Sequence, residues 1–130
     1  MIVLDASAVI EVLLQTEAGI ALTGRLLAPD TSLHTPYLLD VEVAQVLRRF
    51  TLRGELEPNR ARQALEDLAD LPVERYPHEI LLPRIWALRE NLTAYDAAYV
   101  ALAEVLGATL LTCDGRISRA SGHSARVEVV

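Results

Sequence analysis

Four acidic side chains occupy positions where a carboxylate is expensive to keep. Asp5 directly follows the apolar run Ile2-Val3-Leu4, and Asp114 comes just after the run from Ala108 to Thr112. Glu42 falls on, or at the margin of, an apolar stripe made by Leu38, Leu39, Val43, Val46, Leu47 and Phe50, the spacing of one helix face. Asp96 opens a stretch that is apolar almost all round, the pattern of a buried helix. A buried carboxylate without a partner is costly or takes up a proton, so Glu42 calls for an arginine, a metal or a substrate. Brought together, four carboxylates repel, and a divalent cation removes that penalty. Mg2+ and Mn2+ favour carboxylate oxygen and keep waters for chemistry. Each acid also has a plainer reading. Asp5 can cap a helix starting at Ala6, and Asp114 can serve an Asp-Gly turn. Thr93-Ala94-Tyr95-Asp96 matches a capping box, and Glu42 can reach water at a helix edge. Capping and metal binding are compatible at a first-turn aspartate.

The elements that must position these acids alternate in kind. Short β-branched or apolar runs predict strands at 2–4, 32–35, 72–77, 108–112 and 126–130. Pro36 ends the second strand. The third is bracketed by Pro72 and Pro77, which suits an edge strand. Helical periodicity covers about 6–14, 19–27, 37–53, 58–70, 78–90 and 93–106. Gly54 and Gly107 stand where helices close, and Pro58 suits a first helical turn. Asp114-Gly115 reads as a turn. Strands alternating with helices predict an α/β fold with a parallel sheet covered on both faces. Such sheets place ligands at the carboxyl ends of their strands, where Asp5 and Asp114 emerge together.

Composition bounds the remaining choices. The chain has 130 residues, 52% of them apolar and 23% charged, enough for one sizeable core and too few for two domains, so residues 1–130 read as a single domain. No apolar run reaches membrane-spanning length, and the opening Met-Ile-Val-Leu-Asp lacks the basic segment of a secretory signal. The one cysteine, Cys113, excludes an intrachain disulfide and a multi-cysteine zinc site and fits a reducing cytoplasm. All twelve basic side chains are arginine. The absence of lysine argues against a receiver-type phosphoacceptor domain and a haloacid-dehalogenase-like phosphatase, and Asp5-Ala6-Ser7 also lacks the second aspartate of the latter. No Gly-rich phosphate loop is present. His34, His78 and His123 have no ligand-like spacing and read as surface or loop residues, and Cys113 reads as core. The net charge of −6 argues against a nucleic-acid partner taken alone. Four of those charges are the acids above, however, and Arg48, Arg49 and Arg53 cluster at one helix end, where they can meet phosphates or complement the helix dipole.

In this order and spacing the motifs resemble the PIN-domain ribonucleases, in particular the toxins of VapBC-type toxin–antitoxin pairs. Ile2-Val3-Leu4-Asp5-Ala6-Ser7 is similar to the family's strand–Asp–x–Ser/Thr start. Glu42 stands in the third helix, as the family's glutamate does. Tyr95-Asp96-Ala97-Ala98-Tyr99-Val100-Ala101-Leu102-Ala103 resembles its aspartate-bearing helix, and Leu110-Leu111-Thr112-Cys113-Asp114 its last acidic segment. Where many members continue Asp-x-x-Phe, this chain has Ile117. The resemblance implies a three-layer α/β/α fold around a parallel sheet of about five strands. It implies an endoribonuclease that cuts structured RNA such as transfer or ribosomal RNA, with one or two Mg2+ or Mn2+ ions on Asp5, Glu42, Asp96 and Asp114. Ser7 and Thr112 would orient a carboxylate, a water or a phosphate, and Arg116 would contact a phosphate. A VapB-type antitoxin and a homodimer are the implied partners. The alternative is a non-catalytic PIN-fold module that binds protein or RNA.

Overall fold

The computed structural model describes all of residues 1–130. Its strands are β1 (Ile2–Leu4), β2 (Leu33–Pro36), β3 (Val73–Tyr76), β4 (Thr109–Thr112) and β5 (Arg126–Val129). Its helices are α1 (Ala6–Leu13), α2 (Glu17–Leu26), α3 (Leu38–Leu52), α4 (Pro58–Asp70), α5 (Leu82–Ala87), α6 (Ala94–Leu106) and α7 (Gly115–Arg119), with a single 3-10 turn at Glu79–Leu81 before α5. The five strands form one sheet in the order β3-β2-β1-β4-β5, every neighbouring pair parallel. Ile2 pairs with Leu33 on one side and Thr109 on the other. β3 is the edge strand that its flanking prolines predict.

Topology puts the site where it is. Parallel crossovers are right-handed. The chain moves from β1 through β2 to β3 in one direction, which lays α1 to α4 on one face. It then crosses back to β4 and on to β5, which lays α5 to α7 on the other. This is the three-layer α/β arrangement. The direction reverses between β1 and β4, so their carboxyl ends form the switch-point crevice where open α/β sheets bind ligands. The core beneath it includes Val3, Leu4, Val9, Leu39, Val43, Leu102, Leu110 and Leu111.

Element types follow local chemistry, with some departures. Thr93 caps α6 by accepting the Asp96 N–H at 3.1 Å. Gly107, at φ 62°, closes α6 in the left-handed conformation that disfavours side chains. The stretch 78–90 is not one helix: it divides into the 3-10 turn and the short α5. Pro36 is the last residue of β2. Asp114-Gly115 opens α7, with Asp114 as its cap, so the predicted turn is a helix start. Cys113 lies just past β4 and is half-buried, not core. His34 is not a surface residue. It is 6% exposed on β2, and its ring nitrogens face the Tyr76 hydroxyl at 2.7 Å and the Ser32 hydroxyl at 2.8 Å. Half-buried His78 accepts the Leu38 N–H at 2.9 Å and so caps α3.

Candidate active site

Asp5 is 6% exposed at the end of β1 and caps α1. Its Oδ1 accepts the Ala8 N–H at 3.0 Å and the Ser7 hydroxyl at 2.6 Å, and its Oδ2 accepts the Thr112 hydroxyl. Each hydroxyl in turn accepts a backbone N–H past β4: Cys113 to Ser7 at 2.8 Å, and Asp114 to Thr112 at 2.9 Å. The one proton of each hydroxyl is spent on Asp5, so the 3.3 Å approach of Ser7 to Thr112 is a contact rather than a further bond. These bonds stitch the two strand ends into one crevice.

Glu42 and Asp96 face the same space from α3 and α6. Glu42 lies at the margin of its stripe, half-buried, and the protein group that meets its side chain is a tyrosine rather than an arginine. The hydroxyl of Tyr99 donates to Glu42 Oε1 at 2.5 Å. Nothing in the sequence flags this bond: the stretch around Tyr99 reads as core packing, and the two residues are 57 positions apart. Asp96 takes part in the α6 cap: its N–H donates to the Thr93 hydroxyl at 3.1 Å, and the Thr93 side chain in turn favours its ionised carboxylate. Asp114 carries the opposite environment. Arg116 donates to both its oxygens, with the shortest bond 2.8 Å. That arginine side chain is 81% exposed.

Electrostatics tie the four together. Burial raises the Asp5 carboxyl above its ordinary value. Hydrogen bonds from Ser7, Thr112 and Ala8 pull it back, and Asp114 pushes it up. Burial also raises Glu42; the Tyr99 bond lowers it, and the charges of Asp96 and Asp5 raise it. Asp96 is raised by burial, then by Asp114 and Asp5, with the Thr93 side chain and Arg116 opposing. Asp114 alone is held low, by its bonds to Arg116. Each acid therefore feels at least one of the others. The carboxylates do not converge as a closed ligand set: no three His, Cys, Asp or Glu side chains are disposed as ligands around one point. Several are instead turned to Ser7, Thr112, Tyr99 and Arg116. The donor chemistry fits a hard divalent cation all the same, with Glu42 Oε2 free of protein donors and four negative charges in one crevice.

The PIN domain family model matches residues 2–122. The chain belongs to the PIN-domain family. Among similar PIN-domain proteins, Ribonuclease VapC12 of Mycobacterium tuberculosis is 42% identical over 130 residues, covering 100% of this chain and 99% of its own. Ribonuclease VapC9 of the same organism is 43% identical over 130 residues, with 100% and 98% covered. Among solved structures, VapBC2 from Rickettsia felis, bound to a DNA fragment from its promoter, superposes with a TM-score of 0.72 at 14% identity over 99% of this chain and 98% of that one. That likeness is one of fold. No single helix of this PIN domain is long and apolar enough to cross a membrane.

Proposed function

We propose that the protein is an endoribonuclease toxin of a VapBC-type pair, that residues 1–130 act as one domain, and that Asp5, Glu42, Asp96 and Asp114 hold one or two Mg2+ or Mn2+ ions for the reaction. The observation that carries this reading is the set of four carboxylates at the β1/β4 switch point, three of which, Asp5, Glu42 and Asp96, are raised by the charge of another. A PIN domain with full-length relatives named as VapC ribonucleases supplies the reaction class. The substrate is a structured RNA such as transfer or ribosomal RNA. The cognate inhibitor is a VapB-type antitoxin, and the toxin works in the cytoplasm as a homodimer.

A divalent cation supplies Lewis-acid polarisation of a phosphodiester oxygen and a lowered pKa for water. The protein does the rest. Ser7, Thr112 and the Ala8 N–H hold Asp5 in place and favour its ionised form against the burial that raises its pKa. Burial strengthens the hold of Glu42 and Asp96 on a proton, which suits an Asp96 oxygen not taken up by the cation to accept one from water. That water attacks phosphorus in line with the leaving ribose oxygen, forming one P–O bond as the other breaks, and the leaving oxygen takes a proton from solvent. Arg116 is exposed beside Asp114 and turns to the RNA phosphate, since an exposed ion pair costs little to exchange.

The test is cleavage of total bacterial RNA by purified protein with Mg2+ or Mn2+, with EDTA, and with Asp5→Asn. Discrete fragments that require both metal and Asp5 are the expected result. No cleavage together with no metal binding would sink this reading in favour of a binding module.

A further inference from the structure

Tyr99 is 1% exposed and lies three residues beyond Asp96 on α6. Phenylalanine would fill the same volume with no polar atom to satisfy, so packing does not call for the hydroxyl. The hydroxyl crosses from α6 to α3 and donates to Glu42 Oε1, and this is the one hydrogen bond the Glu42 side chain makes. Glutamate has three rotatable bonds, and nothing else polar selects among its rotamers. The bond also favours the ionised carboxylate against the burial that disfavours it. It engages one oxygen and leaves Oε2 free.

We infer that Tyr99 is a positioning residue: its hydroxyl fixes Glu42 as a single-oxygen donor and locks the α3 acid to the α6 helix that carries Asp96. The inference rests on the metal-site reading above. Protein partners of ligating side chains typically contribute 10–100-fold to metal affinity or activity. Positioning also has a signature that loss of charge lacks. Mg2+ demands near-ideal octahedral geometry, whereas Ca2+ tolerates irregular oxygen sets. Loosening Glu42 without changing its charge should therefore weaken Mg2+ more than Ca2+.

The experiment is calorimetric titration of Mg2+ and of Ca2+ into wild type, Tyr99→Phe, Glu42→Gln, the double variant and Asp5→Asn, with thermal melts in EDTA alongside. Tyr99→Phe should lose roughly 10-fold or more in Mg2+ affinity and about 3-fold or less for Ca2+, with a melting temperature within about 5 °C of wild type. In the Glu42→Gln background the same change should cost nothing further, because its route is gone. Unchanged Mg2+ binding by Tyr99→Phe, with Asp5→Asn weakened, overturns the inference alone. So does equal loss for both ions, or an undiminished loss in the double variant. Asp5→Asn binding Mg2+ like wild type overturns the metal-site reading and this inference with it.

Discussion

Asp5 is the most buried of the four site acids, and the two hydroxyls holding it are not equivalent. Thr112 is fully buried, donating to Asp5 and accepting the Asp114 N–H. Ser7 makes the matching pair of bonds from a partly exposed position. Removing a buried hydroxyl strands its partners, whereas water can replace a partly exposed one. Thr112→Val should therefore cost about 1–3 kcal/mol of folding stability, and Ser7→Ala clearly less. Urea denaturation of the two variants checks the order, and a larger cost at Ser7 would refute it. The acids themselves are legible in the sequence, because a carboxylate next to a buried run or on an apolar helix face contradicts its surroundings. Ser7 and Thr112 are legible through adjacency to them. Tyr99 is not, since an aromatic residue in an apolar helix agrees with its surroundings and its partner comes from a different helix. The grip of Arg116 on Asp114 is local, yet the sequence assigns the arginine to a phosphate, because two residues' separation does not say which anion it faces.

At the scale of elements, α6 is the member that joins the layers. Its N-terminal turn carries Asp96, and its last turn carries Glu104, which accepts from Arg84 on α5 at 2.8 and 2.9 Å and from the Ser124 N–H and hydroxyl at 2.9 and 3.0 Å. Arg84 also donates to the Gly122 carbonyl at 2.9 Å, so one ion pair ties α5, α6 and the segment leading into β5. The bond from Arg84 holds the Glu104 carboxyl down, from an ordinary 4.5 to about 2. A depressed acid contributes stability above its unfolded value, and that contribution is lost as pH falls from about 4.5 towards 2. Allowing for the 39% exposure of the Arg84 side chain, the contribution is about 1–2 kcal/mol. The stability gap between wild type and Glu104→Gln in urea should be open at pH 7 and narrow towards pH 3; a gap indifferent to pH would show that the ion pair adds nothing. The alternation of strands and long helices is readable because periodicities of 2 and 3.6 differ over ten residues. Helix α7 is too short for any periodicity, and 78–90 splits because Pro83 sits where a turn and a helix join, which composition alone does not locate.

For the molecule as a whole, the same crevice sets stability against function. The switch point between β1 and β4 follows from strand order, which the sequence predicts only as far as a parallel sheet; the order itself depends on pairing between strands more than a hundred residues apart, Ile2 with Thr109. That order gathers four carboxylates onto one sheet edge. Asp96 shows the cost: burial, Asp114 and Asp5 raise its pKa, and the opposing pull of Thr93 and Arg116 does not cancel them. A raised carboxyl pKa means that at neutral pH the folded state is penalised by the ionised group, a penalty relieved as pH falls through the folded value. Asp96→Asn keeps the shape and removes the charge. In EDTA it should therefore stabilise the fold, by about 0.5–1 kcal/mol, the usual size of a gain at a site strained for function, less whatever favourable interaction a first-turn aspartate has with the helix dipole. With millimolar Mn2+ the order should reverse. A cation that binds the folded state alone adds RT ln(1 + [L]/Kd), about 2.7 kcal/mol at a hundredfold excess over Kd, and the variant should forfeit most of that. Thermal melts of both proteins with and without Mn2+ check the crossing. An Asp96→Asn protein less stable than wild type in EDTA would mean that its charge supports the fold instead of straining it, and that the four acids do not share one field.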